Sequence, residues 1–148
     1  MKKFNIAIVG ATGMVGRKFL QVLEERKLPV NEYYLFASKR SAGTTLTFMG
    51  QEYTIRELTD TCLTDLKIDI ALFSAGAGAS KAYAPLFVEH GALVIDNSSQ
   101  WRTDPTVPLV VPEVNAHAID DHHGIIANPN CSTIQAMVAL KPLQDRYG

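Results

Sequence analysis

Asn5-Ile6-Ala7-Ile8-Val9-Gly10-Ala11-Thr12-Gly13-Met14-Val15-Gly16 is the stretch whose reading decides the fold. A short, nearly continuous apolar run that ends at a glycine is the pattern of a strand buried on both faces of a parallel sheet. Apolar residues then recur at Val15, Phe19, Val22 and Leu23, the i, i+4, i+7, i+8 stripe of a helix with one face on a core. Arg26 and Lys27 complement the C-terminal dipole of that helix, and Pro29 stops it. Strand, glycine turn and helix make the first half of a βαβ unit. Gly10, Gly13 and Gly16 are spaced G-x-x-G-x-x-G, a variant of the dinucleotide fingerprint. Such glycines allow a tight turn and a close backbone approach to a pyrophosphate at the helix N-terminus. Close helix–strand packing alone also explains such a turn, and the flanking elements favour the dinucleotide.

Outward from this unit the order keeps alternating. Tyr33–Ala37 reads as the second strand, Ile68–Phe73 and Leu93–Ile95 as further buried ones, and Ser80–Glu89 as a helix between the last two. Alternating residues around Met49-Gly50, from Thr45 to Ile55, suggest a small antiparallel excursion at a sheet edge. Trp101–Pro112 holds three prolines and reads as a long loop of the kind that carries function. Gly124–Ala127 is a short final strand. Cys131–Tyr147 is a helix with apolar residues at Ile134, Met137, Val138 and Leu140, which Pro142 is expected to kink or restart. The pattern predicts an α/β domain: a Rossmann-like, doubly wound, mostly parallel sheet with helices on both faces.

The 148 residues suit one domain with a real core, and 47% hydrophobic against 20% charged residues is neither disordered nor fibrous. A net charge of −1 supplies no field for nucleic acid, which is not expected as a partner. No apolar run approaches the roughly 20 residues of a membrane-spanning helix, and Met-Lys-Lys leads straight into the first strand, so neither leader nor anchor is expected. Cys62 and Cys131 do not form a secreted disulfide framework, which points to reducing cytoplasm. His90, His117, His122 and His123 lack the spacing of a metal site, so no metal is expected and they read as solvated or capping groups.

Three further segments carry chemistry. The second strand ends in Ser38-Lys39-Arg40-Ser41, where a NAD site would place a carboxylate for the ribose hydroxyls. Hydroxyls and cations there suit the 2′-phosphate of NADP, with Ser38, Arg40 and Ser41 as contacts; a solvated polar loop is the plain alternative. Ser74-Ala75-Gly76-Ala77-Gly78-Ala79 is a second small-residue loop at the carboxyl edge of the sheet, where Ser74 and Gly76 would let the cofactor backbone pass. Asn128-Pro129-Asn130-Cys131-Ser132-Thr133 puts a cysteine at the start of a helix, where the dipole and free N–H groups favour thiolate and an oxyanion. Cys131 reads as a nucleophile, although a cysteine is more often an inert small hydrophobe; Cys62 keeps that inert reading. Arg102, after Asp96-Asn97-Ser98-Ser99 at another strand end, is a cation able to hold phosphate or carboxylate, though a surface arginine is ordinarily just solvated.

Together with Val111-Pro112-Glu113-Val114-Asn115, these motifs closely resemble aspartate-semialdehyde dehydrogenase of the bacterial type, from about Phe4 to Gly148. Asn130 argues against the alternative of the related N-acetyl-glutamyl-phosphate reductases, whose cysteine follows an Asn-Pro-Gly sequence. The resemblance implies NADPH-dependent reductive dephosphorylation of aspartyl-4-phosphate to aspartate 4-semialdehyde, on the route to lysine, methionine, threonine and isoleucine. It implies that Cys131 attacks the acyl phosphate, that Arg102 binds phosphate, with Trp101 where Phe is common, and that Thr12, Gly13, Met14, Val15, Arg40 and Ser41 contact NADP. Asn130 is placed with Arg102 on the substrate and phosphate side; Gln135 belongs to the cysteine motif and is not the family's substrate-orienting glutamine.

The family's acid/base histidine, that glutamine and a carboxylate-binding arginine belong to a second domain, which also forms the interface of a homodimer or dimer of dimers. Residues 1–148 are therefore expected to be the NADP-binding domain carrying the catalytic cysteine, without the second domain and without turnover alone. The other functional class open to the sequence is a stand-alone NADP-binding module that does no chemistry.

Overall fold

The computed structural model describes residues 3–148. Six strands form one parallel sheet: β1 (Phe4–Val9), β2 (Val30–Ala37), β5 (Arg56–Glu57), β6 (Ile70–Phe73), β7 (Leu93–Asp96) and β8 (Ile125–Ala127). Their order is β5-β2-β1-β6-β7-β8. The chain leaves β1 toward β2 on one side and returns to β6 on the other, so a topological switch point lies beside β1. The β1 run Ile6–Val9 is buried on both faces, as its unbroken apolar character requires.

The helices α1 (Met14–Arg26) and α2 (Ala77–Glu89) cover opposite faces. Against one face, Leu20 and Leu23 pack with Ile6, Ile8 and Leu35; against the other, Ala84 and Phe87 pack with Ala7, Val9, Phe36 and Phe73. Phe87 meets Phe36 and Phe73 edge-on, with ring centroids 5.7 and 5.0 Å apart. The expected doubly wound α/β architecture is present.

Several boundaries and one helix phase differ from expectation. The buried face of α1 is Gly16, Leu20 and Leu23, while Val15 and Val22 are exposed. Gly16 sets this rotation, because only a residue without Cβ can lie against the Gly10 carbonyl. β2 begins at Val30 rather than Tyr33, since main-chain pairing to β1 extends past the point where its side chains turn polar. β6 begins at Ile70, because Asp69 ties its N–H and carboxylate to Asn5 ahead of it. α2 begins at Ala77, with Gly76 (φ 86°) preceding it.

The Thr45–Ile55 excursion is a separate hairpin of β3 (Thr45–Phe48) and β4 (Gln51–Thr54). Its turn residues Met49 and Gly50 both have positive φ, the signature of a type I′ turn. Trp101–Pro112 is not a free loop: Trp101 and Val107 pack against the core, Leu109 bridges Ala127, and Pro112 opens the short helix α3 (Pro112–Asn115), which a 3₁₀ helix (Ala116–Asp121) follows. The last helix, α4 (Cys131–Tyr147), runs through Pro142 without restarting. No residue of α4 is buried, so water can satisfy the carbonyl that Pro142 leaves without an amide partner.

Candidate functional site

A cleft of about 450 Å³ opens at the carboxyl ends of β1, β2 and β6, the switch point of the sheet. One wall is the turn Gly10–Gly13. Gly10 has φ 89°, and a Cβ there would stand 2.4 Å from the Ser74 carbonyl oxygen, so the two strand-end loops touch main chain to main chain. A Cβ on Gly16 would stand 2.1 Å from the Gly10 oxygen. The turn is therefore held against both α1 and the Ser74 loop, with Gly13 immediately before the first helical residue. Such a seat admits phosphate oxygens to the N-terminus of α1.

Ser38 and Lys39 border the cleft after β2, and Ser74 and Ala75 after β6. Thr12 reaches across to Ser41, their hydroxyl oxygens 3.5 Å apart, so the glycine turn and the Ser38–Ser41 turn meet. The Ser41 and Ala42 N–H groups both donate to the Ser38 carbonyl, which closes that turn on itself. Arg40 is exposed and does not border the cleft, whereas Lys39 does. Met14, 88% exposed, and Val15 lie outside it as well, and Gly76 precedes α2. Leu58, Ala79 and Tyr83 complete an apolar side that the sequence reading did not assign. Ala79 and Tyr83 are one helical turn apart, a signal that becomes legible once α2 is known to start at Ala77.

The second group of residues lies at the ends of β7 and β8. Arg102 donates from Nε to the Asn128 carbonyl and from Nη2 to the Asn97 carbonyl, each at 3.0 Å. Asn128 Nδ2 donates to Asn97 Oδ1 at 2.7 Å. Arg102 is thereby fixed to the segment that leads into Asn130 and Cys131. Asn130 caps α4: its Oδ1 accepts from the Ser132 N–H at 3.0 Å, and Cys131 occupies the first helical position with its side chain exposed.

A family model for the NAD-binding domain of semialdehyde dehydrogenases matches residues 5–122. The chain belongs to that family. The semialdehyde dehydrogenase domain is 60% identical over 148 residues to the aspartate-semialdehyde dehydrogenase of Aquifex aeolicus, covering 98% of this chain and 43% of that protein. Among solved structures it resembles aspartate semialdehyde dehydrogenase II of Vibrio cholerae, complexed with ASA, with TM-score 0.89 and 49% identity over 98% of this chain and 47% of the other. It also resembles the Candida albicans aspartate semialdehyde dehydrogenase with NADP, with TM-score 0.83 and 28% identity over 99% of this chain and 48% of the other. The chain thus spans less than half the length of these relatives. The resemblance drawn from the motifs is borne out, and a nicotinamide dinucleotide is the cofactor class of the domain.

The two thiols of the semialdehyde dehydrogenase domain differ in setting. Cys62 is half-buried against the core, and burial pushes its thiol up, only partly offset by hydrogen bonding with the main chain at Thr59 and Cys62. Cys131 lies in the open. His90 caps α2 with Nδ1 2.8 Å from the Leu86 carbonyl, and His122 Nδ1 accepts from the Gly124 N–H at 3.0 Å. No group of three or more His, Cys, Asp or Glu gathers at a metal-binding distance among the described residues.

Proposed function

We propose that this domain is the cofactor-binding half of an NADP-dependent aspartate-semialdehyde dehydrogenase, which converts aspartyl-4-phosphate to aspartate 4-semialdehyde and phosphate. The observation that carries the reading is the pairing of a glycine cradle with no room for a Cβ at Gly10 or Gly16 with an exposed cysteine at a helix start, whose leading segment is held to Arg102 through the Asn128 carbonyl. The cradle fits a dinucleotide: the Gly10–Gly16 turn would take the pyrophosphate, Leu58 and Tyr83 the adenine side, and Ser38, Lys39, Arg40 and Ser41 the 2′-phosphate. NADPH, when bound, supplies the hydride that reduces the acyl group and releases the cysteine thiolate. The Cys131 sulfur attacks the acyl carbon of aspartyl-4-phosphate; the C–S bond forms, the C–O bond to phosphate breaks, and the leaving phosphate carries off the electron pair. Arg102, held by two carbonyls, would offer its remaining N–H groups to that phosphate, and the first-turn amides of α4 that Asn130 does not engage would stabilise the carbonyl oxygen.

Proton transfer and substrate orientation belong, on this reading, to a second domain that also forms the dimer or tetramer, and the full protein works in the cytoplasm. Residues 1–148 alone would bind NADP and still fail to turn over. General acid/base help is worth about 10²–10⁴-fold, and loss of substrate alignment a comparable factor. Purified residues 1–148 should therefore reduce NADP with aspartate semialdehyde and phosphate at near-background rates, and the full-length protein should do so robustly. Robust turnover by residues 1–148 would place the proton-transfer group within this chain and refute the division of labour.

A further inference from the structure

Asp96, the last residue of β7, is fully buried, the only carboxylate among the buried described residues. Its Oδ2 accepts a hydrogen bond of 2.5 Å from Ser98 Oγ, and Ser98 Oγ accepts in turn from the Gln100 N–H at 3.2 Å. Its Oδ1 meets no donor among the described residues. A buried carboxylate with one oxygen unpartnered is an expensive way to finish a strand, since an amide or an apolar side chain would fill the same space with far less desolvation. Packing alone does not account for it.

Its position explains what the charge does. The Asp96 carbonyl accepts from the Asn128 N–H at 2.8 Å, and the neighbouring Asn97 N–H donates to Phe73 at 2.9 Å. From that anchored point the chain turns through Ser98 and Gln100 to Arg102, which comes back onto the carbonyls of Asn97 and Asn128. Asp96 therefore stands at the root of a closed loop that joins Arg102 to the residues leading into Cys131. A charge-assisted bond orients the Ser98 hydroxyl, so that its lone pair, rather than its proton, faces Gln100. A neutral amide at position 96 can either accept from Ser98 or donate to it, and so leaves that orientation undetermined.

We propose that Asp96 is a positioning residue, which acts through Ser98 to hold the Asn97–Arg102 turn and thereby the arginine's alignment with Asn130 and Cys131. The phosphate part of this inference rests on the function proposed above; the alignment part does not.

The test uses the full-length protein, its Asp96→Asn variant, and the pair Ser98→Ala and Ser98→Thr, with thermal unfolding as a check on folding. Solvent exchange of the Arg102 Nε–H, followed by nuclear magnetic resonance on arginine-labelled protein, reads the latch itself. The KM for inorganic phosphate against the KM for NADP reads its consequence. Losing the alignment of one hydrogen bond to a charged group should raise the phosphate KM about tenfold in Asp96→Asn and Ser98→Ala, leave the NADP KM within about twofold, and speed the Arg102 exchange by about tenfold or more. Ser98→Thr, which keeps the hydroxyl, should restore parental behaviour. Should Asp96→Asn fail to fold, the Ser98 pair decides the matter by the same readouts. Parental exchange and parental phosphate KM in Ser98→Ala would overturn the proposal, as would an equal rise in both KM values, which marks general loosening. If the parent protein shows no phosphate-dependent turnover, the functional reading fails, and the Arg102 exchange still decides the role of Asp96.

Discussion

Gly16→Ala tests the central packing claim. Gly16 lies in the first turn of α1, and a Cβ there would sit 2.1 Å from the Gly10 carbonyl oxygen, 2.8 Å from its carbon and 2.9 Å from the Ala11 Cα. All three are main-chain atoms, so no side-chain rotation relieves the clash. To reach an ordinary contact of 3.4 Å the helix must withdraw from the turn by about 1.3 Å. Overpacking costs about 1–3 kcal/mol, and a backbone-only clash belongs at the upper end. For a domain of this size about 3 kcal/mol lowers the Tm by about 6–12 °C. Withdrawal also carries the first amides of α1 away from the seat, which should weaken NADPH binding by about 1.5–3 kcal/mol, roughly tenfold to more than a hundredfold. Gly13→Ala is the control: its Cβ would come no closer than 3.3 Å and its φ is −74°, so it should cost less than about 1 kcal/mol of stability. Circular-dichroism melting of residues 1–148 with calorimetric NADPH titration measures both effects. A Gly16→Ala protein that melts with the parent and binds NADPH equally well would refute the close-packed turn.

Arg40→Ala should weaken NADPH binding by about 1.5–3 kcal/mol with little effect on NADH; calorimetry with both cofactors checks it, and equal or tighter binding of NADH by the parent would sink the NADP assignment. Iodoacetamide should label exposed Cys131 well ahead of Cys62, whose thiol is half-buried and held in its protonated form; peptide mapping that finds Cys62 modified first contradicts this. Tyr33 is buried with its hydroxyl unpartnered among the described residues, and burial, then the neighbouring Tyr53, raises its pKa above 10.0. The unfolded chain thus ionises first as the pH climbs past that value, and the native state loses stability on that alkaline limb. Tyr33→Phe should be neutral or stabilising by up to about 1 kcal/mol at pH 7 and lose less between pH 7 and about 10.5 in urea unfolding; an equal alkaline loss in parent and variant would refute the assignment.

Local periodicity was enough to read the longer elements of this protein. An unbroken apolar run into glycines declared a central parallel strand, and Ala37-Ser38-Lys39-Arg40-Ser41 and Asn130-Cys131 stood out as candidate sites because each lies within a few residues of a strand or helix end. The rest depended on contacts between distant residues, about which short-range patterns are silent. The phase of α1 followed Gly16 rather than the Val15 stripe, because a clash with Gly10 outweighs the burial of Val15 and Val22. β5 is only two residues long and exists because Phe36 and Ala37 pair with it. Tyr83 and Leu58 became part of the cleft only when α2 and the segment after β5 were brought to the same sheet edge. The burial of Asp96 and the closure of Arg102 onto Asn97 and Asn128 required β7 and β8 to lie side by side. The longer strands and helices are decided over one or two turns of chain, and sequence alone determined them. Helix rotation, strand order and the burial of a charge are decided by which main-chain atoms meet across the fold, and only the tertiary structure could settle those.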